Sequence, residues 1–84
     1  MQTKSTLSKK ELLERIIVDP AIAFGKPCIR GTRIWVSLIM DNLAAGASAA
    51  EILSAYPSLE KDYIRAAMTY AAELARDRYV DLAV

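Results

Sequence analysis

The sequence predicts a mostly helical domain, in which a three-helix bundle with a helix-turn-helix unit is preceded by a short helix and a small β element. Apolar residues recur with a period near 3.6 over residues 35–43 and again over 64–75, which predicts two amphipathic helices. About three residues around Gly46 join the two helices of the unit, the spacing at which such helices cross steeply. An apolar fraction of 54%, much of it alanine, suits close packing of helices.

The first element is a short helix that begins after Ser8. Ser8 is placed to cap it, with Glu11 at the third helical position as in a capping box. Residues 16–18 are β-branched and end at Asp19 and Pro20, a pair that favours a turn. We therefore expect a short strand there, and we interpret Asp19 as a turn residue that bonds nearby amides, not as a catalytic acid.

Residues 21–33 are rich in glycine and proline, so they are predicted to form a loop, with a second short strand near 32–34. Gly25 and Gly31 would supply backbone angles that other residues avoid. Their spacing does not match a phosphate-binding loop, which needs two glycines with four residues between them, followed directly by Lys and Ser or Thr.

The bundle itself is predicted to follow. Its first helix runs from Trp35 to the turn at Gly46, and its second begins with the capping box Ser48–Glu51 and stops before Pro57. The third runs from residue 59 or 60 to about 78, and its apolar face consists of Ile64, Ala67, Met68, Ala71 and Ala75.

Length and composition limit the domain organisation and the classes of function that the chain could have. The 84 residues are interpreted as a loose tail (1–6), one domain (7–78) and an apolar C-terminal tail (79–84). The net charge of +1 does not draw the whole protein to polyanions, so any DNA contact needs a local basic patch. One cysteine excludes an internal disulfide, and neither a bilayer-spanning run nor a secretory signal is recognisable, so we expect a cytoplasmic protein without a membrane partner.

Catalysis is not expected. The chain has no histidine to activate its lone Cys28, and a metal site would have to be built from scattered carboxylates. We therefore predict neither an enzyme, a cofactor nor a metal.

Two groups of basic residues are candidates for nucleic-acid binding. Lys26, Arg30 and Arg33 fall within eight residues that include no acidic residue, so they could grip DNA phosphates or a partner's carboxylates. The alternative is a salt bridge to Asp19 or Asp41 that locks the loop. The second group is Lys61 and Arg65, near the start of the third helix. The alternative is that Arg65 forms an ordinary surface pair with Asp62, three residues away, as Arg76 would with Glu73.

The candidates for partner binding are apolar. The aromatic residues Trp35 and Phe24, like the tyrosines, could stack on bases, anchor a protein interface or lie in the core. The C-terminal tail is apolar for a free end, and it is the predicted contact for a second copy or another protein through Tyr79, Val80, Leu82 and Val84.

Several stretches resemble a bacterial family known as domain of unknown function 433. They are Ile17-Val18-Asp19-Pro20, Gly25-Lys26-Pro27 and Ile29-Arg30-Gly31-Thr32-Arg33-Ile34, followed by Ala45-Gly46, Glu51-Ile52, Tyr56-Pro57, Ile64-Arg65-Ala66-Ala67 and Tyr70-Ala71. The resemblance covers roughly residues 15–75. It implies a homeodomain-like three-helix fold with a short β element in front, and a frequent role as the antitoxin partner of a PIN-like ribonuclease toxin, whose pocket is acidic.

Two positions depart from the family pattern. Trp35 stands where proline is usual, which removes the residue that pre-sets the first helical turn. Glu60 stands where a capping threonine is usual, which leaves Ser58 as an alternative N-cap. Both departures bear on where helices start.

Together these features lead us to expect an antitoxin-like binding protein that forms a homodimer or higher oligomer, neutralises a PIN-like ribonuclease and binds operator DNA as an autorepressor. A protein-interaction scaffold without DNA binding is one alternative. A stand-alone transcription regulator is another, and it would need a dimer whose equivalent helices lie one DNA turn apart.

Overall fold

The structure is a computed structural model that describes residues 7–77, and for Asp77 it describes the backbone only.

The first helix, α1 (Lys9–Leu13), begins with a capping box. The Ser8 hydroxyl accepts from the Glu11 amide at 3.1 Å, and the Glu11 carboxylate accepts from the Ser8 amide at 2.9 Å. The predicted short helix is thus confirmed, and these reciprocal bonds satisfy two amides that a helix start leaves unpaired.

Two short strands, β1 (Ile16–Ile17) and β2 (Cys28–Ile29), pair antiparallel. Ile16 lies opposite Ile29 and Ile17 opposite Cys28. The first strand is therefore where the β-branched run predicted it. Cys28 and Ile29 have no exposed surface, so this ribbon forms one wall of the core.

The second strand was predicted four residues too late, near 32–34. Thr32 instead closes a turn: its hydroxyl donates to the Ile29 carbonyl at 2.8 Å and accepts from the Ile34 amide at 3.0 Å. Gly31 enters this turn with a φ of +82°, as expected of glycine in a tight reversal. Beyond the turn, Trp35 forms a single bridge back to Cys28.

The helix-turn-helix unit consists of α2 (Val36–Ala44) and α3 (Ala49–Ala55). Gly46 lies between them at a φ of +99°, the left-handed conformation predicted for the end of α2. The capping box of α3 is present, with both Ser48–Glu51 hydrogen bonds formed. Trp35 precedes α2 without a side-chain capping bond, so the start of α2 lacks the capping box that α1 and α3 have.

The last helix, α4 (Lys61–Asp77), packs against the other elements and completes the bundle. Ala66 and Ala67 are fully buried, because their small side chains let α4 approach its neighbours closely. Met68 and Ala75, predicted on the apolar face, are exposed instead. The core formed by all these elements contains Leu12, Ile16, Ile29, Val36, Ile39, Ile52, Leu59, Ile64, Ala66 and Ala67.

An ion-pair network joins α1 to the end of α4. Lys9 pairs with Glu73, which also pairs with Arg76 in its own helix. The hydrogen bond from Lys9 lowers the pKa of Glu73 below its ordinary value, helped by the positive charges of Lys9 and Arg76 and opposed by partial desolvation.

Within residues 7–77, no helix combines the length and apolar character needed to cross a membrane.

Candidate partner-binding surface

The basic loop, residues 26–33, has a backbone that is tied into the fold at both ends. The Pro27 carbonyl accepts from the Val36 amide at 2.9 Å, which holds the start of the loop against the start of α2. At the other end, the Ile29 amide donates to the Ile34 carbonyl at 2.9 Å across the turn that Thr32 closes. The backbone is therefore fixed, while Lys26, Arg30 and Arg33 themselves are exposed.

Lys26 lies over the ring of Trp35. Its ammonium nitrogen is 4.2 Å from the ring centroid, within the range of a cation–π contact. Trp35 is 38% exposed, so the predicted contact residue lies at the surface and not in the core. Lys26 also borders an apolar groove of about 450 Å³ between α2 and α4, together with Met40, Tyr70 and Leu74.

Arg30 lies against the end of α1. Its Nε donates to the Glu14 carbonyl at 2.7 Å, and its amide donates to the Arg15 carbonyl at the same distance. The Arg30 side chain borders a hollow of about 580 Å³ with Lys9, Lys10, Leu13, Glu14 and Ile16. Lys26 and Arg30 therefore border different hollows, although they are four residues apart in the sequence.

Arg33 borders a third, smaller hollow of about 260 Å³ beside Ile22, Gly31 and Thr32. The loop-locking salt bridge to Asp19 or Asp41 is not formed: among residues 7–77, Lys26, Arg30 and Arg33 make no ion pair with a carboxylate. Asp19 instead accepts from the Ala21 amide at 2.9 Å, as expected of a turn residue.

Lys61 and Arg65 form a separate basic site one helical turn apart at the start of α4, and both are exposed. A helix rises about 1.5 Å per residue, so Lys61 is about 20 Å along the axis from Leu74, which borders the groove beside Lys26. Of the two surface pairs expected on α4, Glu73 with Arg76 is formed. Asp62 with Arg65 is not formed in the described part of the chain.

The predicted tail contacts Tyr79, Val80, Leu82 and Val84 lie outside the described residues. Their role stays a prediction.

Sequence reasoning missed two features of this surface. The first is that other basic residues lie near Arg30: the pairing of β1 with β2 brings it close to Lys10 and Arg15. Placing β2 at residues 28–29 would have predicted it. The second is the exposure of Phe24: the sequence left its ring between the core and a binding role, whereas it is 94% exposed on a turn whose positive-φ backbone the local sequence does not indicate.

Metal-binding groups are not assembled in the described chain. Across residues 7–77, no three side chains of His, Cys, Asp or Glu come close enough to hold an ion. Cys28 is buried in β2.

A family model described as "Protein of unknown function (DUF433)" matches residues 16–71, more than half of the 84. The chain belongs to the DUF433 family. The DUF433 match begins at β1 and ends within α4, so it includes the basic loop, Lys61 and Arg65. It leaves out α1 and Glu73, the two sides of the ion pair described above.

Two relatives place the DUF433 chain among known proteins. An uncharacterised protein of Sinorhizobium fredii (strain NBRC 101917 / NGR234), y4eO, is 41% identical over 58 residues, which make up 69% of this chain and 26% of that protein. The chain thus spans about a quarter of that relative's length. The crystal structure of a DUF433 member from Anabaena variabilis ATCC 29413 is similar with a TM-score of 0.71 and 29% identity, covering 81% of this chain and 67% of that one.

Proposed function

We propose that this DUF433 protein is an antitoxin-like binding protein, not an enzyme, that holds an acidic PIN-like ribonuclease inactive by direct contact. One observation carries the proposal: within residues 7–77, the exposed Lys26, Arg30 and Arg33 have no carboxylate partner of their own. Their positive charge is therefore available to another molecule.

The chemistry of these cations favours a carboxylate-rich protein surface. Guanidinium groups form short, charge-assisted and often bidentate hydrogen bonds with carboxylates, and truncating one partner of a buried pair is costly. The Arg30 side chain is held in place by the hydrogen bond from its Nε to the Glu14 carbonyl, and this bond leaves the other guanidinium N–H groups available to a carboxylate. A braced side chain loses less conformational freedom on binding than a free one.

Binding of operator DNA by a dimer is the accessory part of the proposal. Lys61 and Arg65 support it, because both are exposed at the start of α4 and neither makes an ion pair among the described residues. The exposed residues of α3 are poor readers of bases, since the Glu51 carboxylate is already engaged by the Ser48 amide. We therefore expect phosphate contacts to dominate, which gives weak, salt-dependent binding.

The test is co-expression of the chain with the product of the adjacent gene, followed by co-purification and a ribonuclease assay. We expect a small PIN-like protein rich in Asp to co-purify and its ribonuclease activity to fall in the complex. The triple variant Lys26→Ala, Arg30→Ala, Arg33→Ala should lose the partner, whereas Arg76→Ala, which removes a cation already paired with Glu73, should retain it.

Three outcomes separate the alternatives. Co-purification without inhibition favours an interaction scaffold. Operator binding without any protein partner favours a stand-alone regulator. If neither the neighbour nor the operator is bound, the proposal is wrong.

A further inference from the structure

The turn formed by residues 19–26, here the aromatic turn, presents one large apolar side chain to solvent. Phe24 at its tip is 94% exposed, against 38–55% for the other exposed large apolar residues that the structure describes. An aromatic side chain of this size ordinarily contributes to stability by burial. Phe24 makes almost none of that contribution to the isolated fold.

The aromatic turn is held by its own hydrogen bonds. The Asp19 carboxylate and carbonyl accept from the Ala21 and Ile22 amides at 2.9 and 2.8 Å. The Ile22 carbonyl in turn accepts from the Gly25 amide at 3.0 Å. The two ends of the turn pack together, since a Cβ added at Gly25 would lie only 3.7 Å from the Cα of Pro20. Phe24 therefore projects from a pre-formed support.

The backbone at the tip is strained for the residues it carries. Ala23 and Phe24 have φ of +50° and +59°, in the left-handed region that L side chains rarely adopt. Glycine would adopt this conformation without that strain. A side chain that is both strained and unburied is not explained by the stability of the fold, and such strain concentrates at functional positions.

Two cations lie near the aromatic turn. Lys26 follows Phe24 by two residues, and Arg33 borders the same hollow as Ile22, two residues before it. Lys26 and Arg33 are exposed and have no carboxylate partner within residues 7–77. A partner pocket that receives the ring would therefore meet positive charge at its rim.

We propose that Phe24 is the anchor of a protein interface, inserting its ring into an apolar pocket whose rim carries carboxylates that pair with Lys26 and Arg33. Interface energy concentrates in such aromatic anchors at the centre of a contact. The inference takes the acidic character of the partner from the proposed function and adds the residue on which the contact centres.

A lipid surface is the other occupant that an aromatic ring with flanking cations could meet. Stable attachment to a membrane takes two strong signals, such as a lipid chain with a polybasic patch, and each cation adds only a modest attraction. One ring, two neighbouring cations and a net charge of +1 fall short of that. The observations favour a protein pocket.

The first test separates a binding role from a structural one. Phe24→Gly replaces a strained, unburied residue by one that suits the backbone, so the urea midpoint of the purified protein should stay the same or rise. A lower midpoint would mean that Phe24 supports the fold, and would overturn the proposal.

The second test locates the contact. The photoreactive residue p-benzoylphenylalanine is placed at position 24, and as a control at Met68, an exposed apolar position on α4, in cells that carry the gene. We expect a defined protein adduct from position 24 only, with the cross-linked peptide apolar and flanked by Asp or Glu. Adding Lys26→Glu and Arg33→Glu should lower its yield at least tenfold. No adduct, equal adducts at both positions, a lipid adduct, a peptide without acidic neighbours or a yield unaffected by charge reversal would each overturn the proposal.

The two proposals fail separately. If the cross-linked protein has the expected pocket but is not a ribonuclease, the proposal that Phe24 anchors an interface is supported and the antitoxin function is wrong. If the ribonuclease co-purifies equally well with wild type and Phe24→Gly, the antitoxin function holds and the anchor falls.

Discussion

The ammonium nitrogen of Lys26 lies 4.2 Å from the centre of the Trp35 ring, so the first cation of the basic loop contacts the residue that immediately precedes α2. This contact joins a loop to a helix that lacks a side-chain cap. It also places the chain's only tryptophan beside a candidate binding residue, where its fluorescence reports changes in the loop.

Removing the charge of Lys26 should weaken this junction. Lys26→Met keeps the aliphatic stem over the ring but loses the cation, and we expect it to lower the free energy of unfolding by about 0.5–1 kcal/mol. The measurement is a double-mutant cycle with Trp35→Leu in urea. A coupling energy near zero would show that the two side chains lie together without stabilising the fold.

The cap of α3 should be worth more. Ser48→Ala removes the oxygen that accepts from the Glu51 amide at 3.1 Å, and we expect a loss of about 1 kcal/mol. Ser54→Ala is the matched control, because Ser54 is exposed inside the same helix, where alanine is the better helix former. Equal losses in urea unfolding would contradict a capping role for Ser48.

The close approach of α4 to the core should not tolerate a larger side chain. Ala66 has no exposed surface, so Ala66→Leu must displace its neighbours and should cost about 1–3 kcal/mol. Ala72→Leu adds the same atoms at an exposed position of the helix and should change stability by about 0.5 kcal/mol or less. Thermal or urea unfolding of the two variants measures the difference.

The ion pair between α1 and α4 should make stability depend on pH. Lys9 and Arg76 lower the pKa of Glu73, so the stabilising contribution is complete above the ordinary glutamate pKa of about 4.3 and is lost as pH falls through the lower folded-state value. Wild type should therefore exceed Glu73→Gln in urea midpoint at neutral pH, and the gap should close as pH falls below the ordinary glutamate pKa. A gap that stays constant would contradict this linkage.

The affinity for operator DNA should depend on the positive charge of Arg65 at the start of α4 and of Arg30 in the basic loop. Arg65→Glu and Arg30→Glu should weaken binding to the upstream region steeply, and the affinity of wild type should fall with salt. Arg76→Glu makes the same charge change at the far end of α4, where the cation is paired with Glu73, and should have the smaller effect. Gel shifts at low salt with no detectable binding by wild type would remove DNA from the proposed function.

Elements whose start depends on local chemistry could be predicted from the sequence. The capping boxes at Ser8 and Ser48 and the reversal at Gly46 each involve residues within a few positions of one another, so the pattern that forms them can be read along the chain. The length of α4 was predictable for the same reason, from its periodicity.

The features that the sequence did not predict depend on contacts between residues far apart in the chain. Cys28 and Ile29 form β2 because they face β1 and the core, and Arg30 meets α1 as a result. Met68 was assigned to the apolar face by period alone, although about half of its side chain is exposed in the described structure. The candidate site was identified as a set of residues, but its division among separate hollows came only from the tertiary structure.

The Lys9–Glu73 pair brings together two residues that are 64 positions apart in the chain and lie on either side of the DUF433 match. Within the described residues, the start of α1 and the last turns of α4 thus lie side by side. Domains with adjacent ends are readily accommodated as insertions, since the host chain is interrupted without being stretched. The same geometry lets such a module be grafted into a surface loop of another protein.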